Sequence, residues 1–236
     1  MALAVLPAPA DKRSAVRTMF DRIAPRYDRL NRLLTGGLDQ RWRREALVRV
    51  GVGPGDRLID VACGTGDLAE LASQRGAEVV ALDFARRMLE RAARRSVGAA
   101  LVLGDGAHLP VADAAADVVT CGFALRNFET LPPVLAEMAR VLRPAGRLAL
   151  IEVDRPDRAW LRVGHGLYFD HVVPWLGGLL SDREAYAYLP QSTVYLPPAT
   201  ELAALLGKAG FEGIERLRRG LGAAQIVTAR RIGARS

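Results

Sequence analysis

The chain predicts an α/β protein built on a doubly wound, mostly parallel sheet, and two observations carry that reading. From residue 56 to 153, short apolar runs alternate with segments of helical periodicity, the pattern of strands joined by crossover helices. Between the first run and the first helix stands a glycine turn, Gly64-Thr-Gly66, where backbone must turn sharply or approach a ligand closely. With 236 residues, half of them hydrophobic and a quarter charged, the composition suits a single domain with an ordinary core.

Residues 1–10 are apolar but short, are broken by Pro7 and Pro9, and lack the positive start of a secretory signal; they are expected to be a disordered tail. Residues 11–50 place apolar side chains at helical spacing (Met19, Phe20, Ile23, then Leu30, Leu33, Leu34), with turn signals at Pro25 and Gly36-Gly37. This predicts helices preceding the core. In the core, 55–156, strands are expected at 57–62, 79–83, 100–103, 118–121 and 147–153, and helices at 69–74, 88–95 and 133–142. After Pro156 the alternation stops. Residues 157–198 hold many prolines and aromatics (Trp160, Tyr168, Phe169, Trp175, Tyr186, Tyr188, Tyr195), which predicts helices and loops covering one edge of a site. A helix at 199–209 and a strand at 224–229 then return the chain to the sheet, so 11–236 reads as one domain.

Lys and Arg outnumber Asp and Glu by 33 to 26, for a net charge of +7. That balance suits anionic surroundings, such as phosphate, acidic lipid or an acidic substrate, and equally a chain that is simply rich in arginine. Cys63 and Cys121 make neither a metal-ligand spacing nor a disulfide framework, so no metal and a reducing cytoplasm are expected. No apolar run approaches the ~18 residues of a membrane span. The longest, 172–180, contains Pro174, Gly177 and Gly178. The chain is expected to be soluble or to sit at a membrane surface.

The strongest chemical signal is Asp60-Val-Ala-Cys-Gly64-Thr65-Gly66, a strand ending in an acid and then a glycine turn into a helix. With Asp83 nineteen residues after Gly64, this spacing alone also fits a dinucleotide site, and in either case Asp83 accepts hydrogen bonds from ribose hydroxyls. Three features favour S-adenosylmethionine. Asp60 stands at the turn, where a carboxylate suits an aminoacyl ammonium and would repel a pyrophosphate. Gly104-Asp105-Gly106 ends the third strand and offers a carboxylate to an adenine amino group. Ala209-Gly-Phe211 precedes a last strand that closes a reversed terminal hairpin. Met88 packs on the adenine ring or serves as a plain core methionine, and Gly122 at the end of the fourth strand joins the cofactor residues.

With these motifs placed, the chain resembles the ubiquinone and menaquinone biosynthesis C-methyltransferase family over 20–211. The resemblance rests on Phe20, Tyr27-Asp28, Asn31 and Trp42-Arg43-Arg44; on Gly122-Phe-Ala-Leu-Arg126-Asn127; on Arg140-Val-Leu-Arg-Pro144; and on Tyr186-Ala-Tyr188-Leu-Pro-Gln-Ser192. It implies a Rossmann-like class I methyltransferase fold: a seven-stranded, mostly parallel sheet with an antiparallel terminal strand, N-terminal helices and a helical cover. It also implies S-adenosylmethionine as cofactor and C-methylation of a prenylated quinol such as demethylmenaquinol. Asp39-Gln40, Glu152-Val-Asp-Arg-Pro156 and Gly220-Leu-Gly-Ala-Ala-Gln225 depart from the family pattern in segments expected to flank the acceptor.

Ring methylation needs the acceptor carbon held in line with the methyl, and removal of a phenolic proton to raise electron density at that carbon. Arg126 is the candidate cation, or the group that orients a water for the proton, with Asn127 as a hydrogen-bonding neighbour; an ion pair capping the strand end is the other use of Arg126. Arginine itself is no base at neutral pH. Tyr27 is expected at the methionine end of the cofactor or in helix packing. Tyr168, His165 and His171 are candidates for the substrate side. A soluble methyltransferase acting on another aromatic acceptor would share every cofactor motif, and so would a cofactor-binding protein without activity. A nucleic-acid methyltransferase is disfavoured, since the chain has neither an Asn/Asp-Pro-Pro-Tyr/Phe motif nor a Pro-Cys nucleophile. A basic face suits anionic membrane, and the sequence leaves open whether the chain forms a homodimer.

Overall fold

The computed structural model describes residues 9–95, 97–154, 188 and 191–233. Strands β1 (Arg57–Val61), β2 (Glu78–Asp83), β3 (Ala100–Leu103), β4 (Ala116–Gly122), β5 (Leu142–Val153), β6 (Phe211–Arg219) and β7 (Ala224–Arg231) form one sheet in the order β3-β2-β1-β4-β5-β7-β6. The first five are parallel; β7 runs antiparallel between β5 and β6. The order reverses between β1 and β4, and in open parallel sheets a ligand crevice forms at such a switch point, outside the carboxyl ends of the strands.

Crossover helices α4 (Asp67–Ser73), α5 (Arg86–Arg95) and α6 (Leu131–Val141) follow β1, β2 and β4. They lie on the two faces of the sheet: α6 in a core cluster with Ile59, Val119 and Leu148, and α4 in a second cluster with Leu58, Val118 and Ile151. Adjacent residues of β1, β4 and β5 fall in opposite clusters, the period-2 alternation of a strand covered on both sides. The helix that precedes β6, α7 (Ala199–Lys208), sends Leu202 and Leu206 into the first cluster.

Three helices precede the core: α1 (Pro9–Ile23), α2 (Tyr27–Thr35) and α3 (Leu38–Arg49). The first begins at Pro9, inside the stretch expected to be tail; residues 1–8 lie outside the described residues. Gly36 and Gly37 adopt φ of 59° and 77°, left-handed values that end α2 at little steric cost. Trp42, Ala46 and Leu47 dock α3 on the second cluster, whereas Val16, Met19, Ile23 and Leu30 of α1 and α2 pack with Met88 in a third. The strand β6 was not among those expected individually. It is an edge strand whose exposed positions include Glu212, Glu215 and Arg216, so it lacks the apolar run by which inner strands are recognised. Most of the expected cover, 157–198, including Tyr168, His165, His171 and the apolar run 172–180, lies outside the described residues.

Candidate active site

The carboxyl ends of β1 to β4 surround a cavity of about 290 Å³. Ala62, Gly64, Asp83, Asp105, Gly106, Gly122 and Asn127 line it from the strand ends, Met88 from α5, and Arg13, Phe20 and Tyr27 from α1 and α2. Gly64 has φ of 58° and open space where a Cβ would stand, so the turn leaves room for close approach of a ligand. Two non-glycine residues of the wall, Ala62 and Phe123, also have positive φ, 55° and 60°. Each costs on the order of 1 kcal/mol, and such strain clusters at functional sites.

Asp83 is buried at the end of β2, where its two oxygens accept hydrogen bonds from the Gly64 and Ala85 amides at 2.7 and 2.8 Å. Burial raises its carboxyl to about 6 against the pull of those amide bonds. Asp60 stands behind the cavity wall, 1% exposed. One oxygen accepts from the Thr120 hydroxyl at 2.7 Å and the other is buried without a partner among the described residues. Burial pushes this carboxyl up to about 7, with the Thr120 bond opposing. Asp105 lines the cavity, but one oxygen is held by Arg13 of α1 at 2.7 Å and the other by the Ala107 amide.

The turn residues Thr65 and Gly66 do not line the cavity. The Thr65 hydroxyl donates to Asp28, and a Cβ on Gly66 would meet Val97 at 3.0 Å. Thr65 belongs to a polar clamp behind the turn: Arg95 bonds the Thr65 carbonyl, pairs with Asp67 at 2.8 Å and reaches Asp28 at 3.6 Å. Gln40 donates to Asp67, and Arg43 pairs with Asp39. The Asp39-Gln40 departure therefore sits in the clamp, away from the cavity. The other two departures meet at the carboxyl end of β5, where Gln225 bonds Arg216 and the Val153 carbonyl while Asp154 pairs with Arg216 and Arg218.

Arg126 and Asn127 lie in a 3-10 turn, Leu125–Asn127, directly after β4. Arg126 is buried and does not line the cavity: its guanidinium pairs with Glu152 at the end of β5, and its Nε donates to Ser192 at 3.2 Å. Asn127 does line the cavity, its Nδ2 donating to the Phe123 carbonyl at 3.4 Å and its Oδ1 buried without a partner among the described residues. Tyr27 lines the cavity and packs edge-on against Phe20, its centroid 6.0 Å away; burial raises its hydroxyl pKa. Met88 belongs to the third core cluster and also lines the cavity. Sequence reasoning missed Arg13, His108, Phe128 and Glu129 in the wall and the buried Lys12, whose ammonium donates to the Phe128 carbonyl and lies 3.8 Å over the Tyr195 ring. The Lys12-Arg13 pair on an otherwise amphipathic helix was the one available signal.

The sheet order, the glycine turn and the carboxylates at the ends of β1, β2 and β3 define a class I methyltransferase. A crystal structure of a SAM dependent methyltransferase from Aquifex aeolicus superimposes with a TM-score of 0.59 at 17% identity, covering 80% of this chain and 89% of that one, a likeness of fold. Residues 9–231 match the model of the ubiE/COQ5 methyltransferase family, and the chain belongs to that family. It is 42% identical over 208 residues to the demethylmenaquinone methyltransferase of Deinococcus radiodurans, spanning 85% of this chain and 86% of that protein. With the demethylmenaquinone methyltransferase of Thermus thermophilus it shares 44% over 200 residues, 82% and 91% of the two chains.

Proposed function

We propose that the chain transfers the methyl group of S-adenosylmethionine to a ring carbon of a prenylated quinol, demethylmenaquinol or its ubiquinone-pathway equivalent. The observation that carries this reading is the unpartnered amide oxygen of Asn127, buried in a wall flanked by Phe123 and Phe128. It is an acceptor for a phenolic hydroxyl beside surfaces on which an aromatic ring can pack. The relatives named for demethylmenaquinone support the same acceptor.

The residues present fit the cofactor. The orphaned oxygen of Asp60 suits an ammonium, the buried Asp83 carboxylate suits ribose hydroxyls, and the open space above Gly64 admits close approach. Bound there, S-adenosylmethionine supplies an electrophilic methyl. Asn127 orients the acceptor hydroxyl, and Glu129, two residues further along the same wall, is the carboxylate on that side able to take its proton; once the ring carbon is methylated it loses its own hydrogen as a proton to water, and Glu129 returns the phenolic proton, so that the aromatic quinol is restored. Arg126 acts as a positioning residue, holding the Leu125–Asn127 turn through Glu152 and Ser192. Tyr168 and His171 complete the substrate side in this proposal. In this reading the protein is cytoplasmic and works at the inner face of the membrane, where its acceptor resides, and nucleic acid is not a partner.

Methyl transfer from labelled S-adenosylmethionine is measured with demethylmenaquinol, a tail-less analogue and an unrelated phenol. Turnover that depends on the prenyl tail is expected, and Asn127→Ala is expected to lower it by about 100-fold, the scale of one lost positioning hydrogen bond in a transition state. Cofactor binding without turnover of any quinol would overturn the acceptor assignment. Light scattering on the same sample reads whether the active unit is a monomer or a homodimer.

A further inference from the structure

Residues 11–50 contain eleven Lys and Arg against five Asp and Glu, so this short N-terminal layer accounts for +6 of the chain's net +7. Burial sharpens the asymmetry. Nine of its arginines are exposed, but its only exposed acid is Asp11; Asp28 and Asp39 are turned into the clamp.

Exposed large apolar side chains occur beside these arginines. Leu33 is 55% exposed and Leu38 42%, on either side of the Gly36-Gly37 turn. Arg26 just before α2 and Arg29 and Leu33 on it stand at i, i+3 and i+7, and on α3 Leu38 and Arg41 are one turn apart, so arginine and leucine share the outward stripe of each helix. A third leucine comes from the other end of the chain. Leu221, in the turn Gly220–Gly222 between β6 and β7, is 76% exposed and held at φ of 57°. This left-handed conformation is costly for leucine, yet the side chain it carries stands mostly in solvent.

These features lie on one rim. The Leu221 turn leads into Ala224, which pairs with Val153 at the carboxyl end of β5. A Cβ on Gly220 would lie 2.8 Å from Trp42, one helical turn after Leu38, and Trp42 in turn faces Phe123 of the cavity wall at 6.5 Å. Gln40 and Arg32 reach Asp67 at the start of α4, which places the α2–α3 turn at the same end of the sheet. The other end of α3 is distant: Val50 and Gly51 accept from Arg147 near the amino end of the parallel strands, and Val48 lies about 15 Å from Leu38 along the helix axis.

We propose that this rim docks the protein on an anionic lipid bilayer, with Leu33, Leu38 and Leu221 entering the interface and Arg26, Arg29 and Arg41 meeting the headgroups. Apolar side chains amid exposed arginines on the surface of an amphipathic hairpin are the composition of an interfacial anchor. Beside the cavity, the rim would bring an acceptor with an apolar tail from the bilayer to the site. That purpose rests on the proposed function; the docking itself does not.

The full chain is centrifuged with vesicles of phosphatidylcholine alone and of phosphatidylcholine with phosphatidylglycerol in equal parts. Binding to the anionic vesicles alone is expected, weakening as salt is raised. Arg29→Gln and Arg41→Gln are each expected to weaken it about fivefold, and Leu221→Asn about tenfold. Asparagine tolerates left-handed φ, so Leu221→Asn is expected to melt no lower than the parent, which separates lost docking from lost folding. Val48→Ser, 58% exposed on the same helix but at its far end, is the control and leaves binding unchanged. Equal binding to neutral vesicles, equal losses from Val48→Ser and Leu221→Asn, or binding to a nucleic-acid homopolymer in place of vesicles would overturn the proposal. Failure to methylate any quinol with intact vesicle binding would instead overturn only the acceptor.

Discussion

Asp60 and Asp83 carry raised pKa values, about 7 and about 6, because burial disfavours their charged forms by more than their hydrogen bonds, and for Asp60 the Arg43 cation, favour them. Their folded forms hold protons that the unfolded chain releases near its ordinary carboxylate pKa of 3.8. Their contribution to stability is thus fully present below that value and is lost as pH rises through 6 to 7. An arriving ammonium favours the ionised Asp60. Cofactor affinity is therefore expected to climb by up to about tenfold per pH unit below pH 7 and then level off, as titration calorimetry across pH 5.5–8 would read. Asp60→Asn should flatten that profile, weaken binding at pH 8 and raise the melting temperature of the free protein there. A profile unchanged by Asp60→Asn would place the titrating group elsewhere. Asp83 was legible from its spacing to Gly64, and Asp60 from its place before the turn; that Asp60 lies behind the wall with one oxygen unpaired was not, because Thr120 comes from a strand sixty residues away.

At the scale of elements, the junctions between α1, the end of β4 and the end of β5 rest on buried charge. Glu152→Ala strands the Arg126 guanidinium in the interior and is expected to cost about 3–5 kcal/mol in denaturant unfolding, whereas Ser192→Ala, which removes one hydrogen bond, costs about 1 kcal/mol. Comparable losses would mean that the ion pair is not what holds the turn. Lys12 ties α1 to the Phe128 carbonyl and the Tyr195 ring, and its pKa is lowered to about 8, chiefly by burial, with Glu129 opposing. A lowered lysine means that the folded state binds fewer protons than the unfolded one between pH 8 and the ordinary 10.5. The term disfavours folding below pH 8 and disappears as pH rises through that window. Thermal melts of Lys12→Met should lack this alkaline gain relative to the parent. The elements themselves were largely readable: the strand expected at 79–83 is Glu78–Asp83, and the helix at 199–209 is Ala199–Lys208. The fifth strand was expected from 147 and begins at Leu142, since the turn-forming Pro144-Ala-Gly146 masks its first residues.

Across the whole molecule, a sheet with two buried faces is joined to a helical layer, of which α1 and α2 pack in a small apolar cluster of their own and arginine–carboxylate pairs add further ties. Such a layer opens more readily than the sheet. In hydrogen exchange, amides of α1 and α2 are expected to exchange ahead of those of β1, β4 and β5, and saturating S-adenosylmethionine should slow α1 while leaving β5 unchanged, because Phe20 and Arg13 line the same cavity. Protection spread evenly over the chain would show the layer and the sheet to be one cooperative unit. The sequence by itself determined the alternation of strands and helices, the glycine turn, the acids at the ends of β1, β2 and β3, and the family to which they belong. These are local properties, set by apolar period, turn chemistry and the position of a residue along its own strand. Only the tertiary structure decided that Arg126 faces Glu152 while Asn127 faces the cavity, that Thr65 serves a clamp, and that Leu221 and Leu38 share a rim. Those outcomes depend on contacts between residues far apart in the chain, whose meeting is set by the packing of the sheet and its helices and leaves no periodic trace in the sequence.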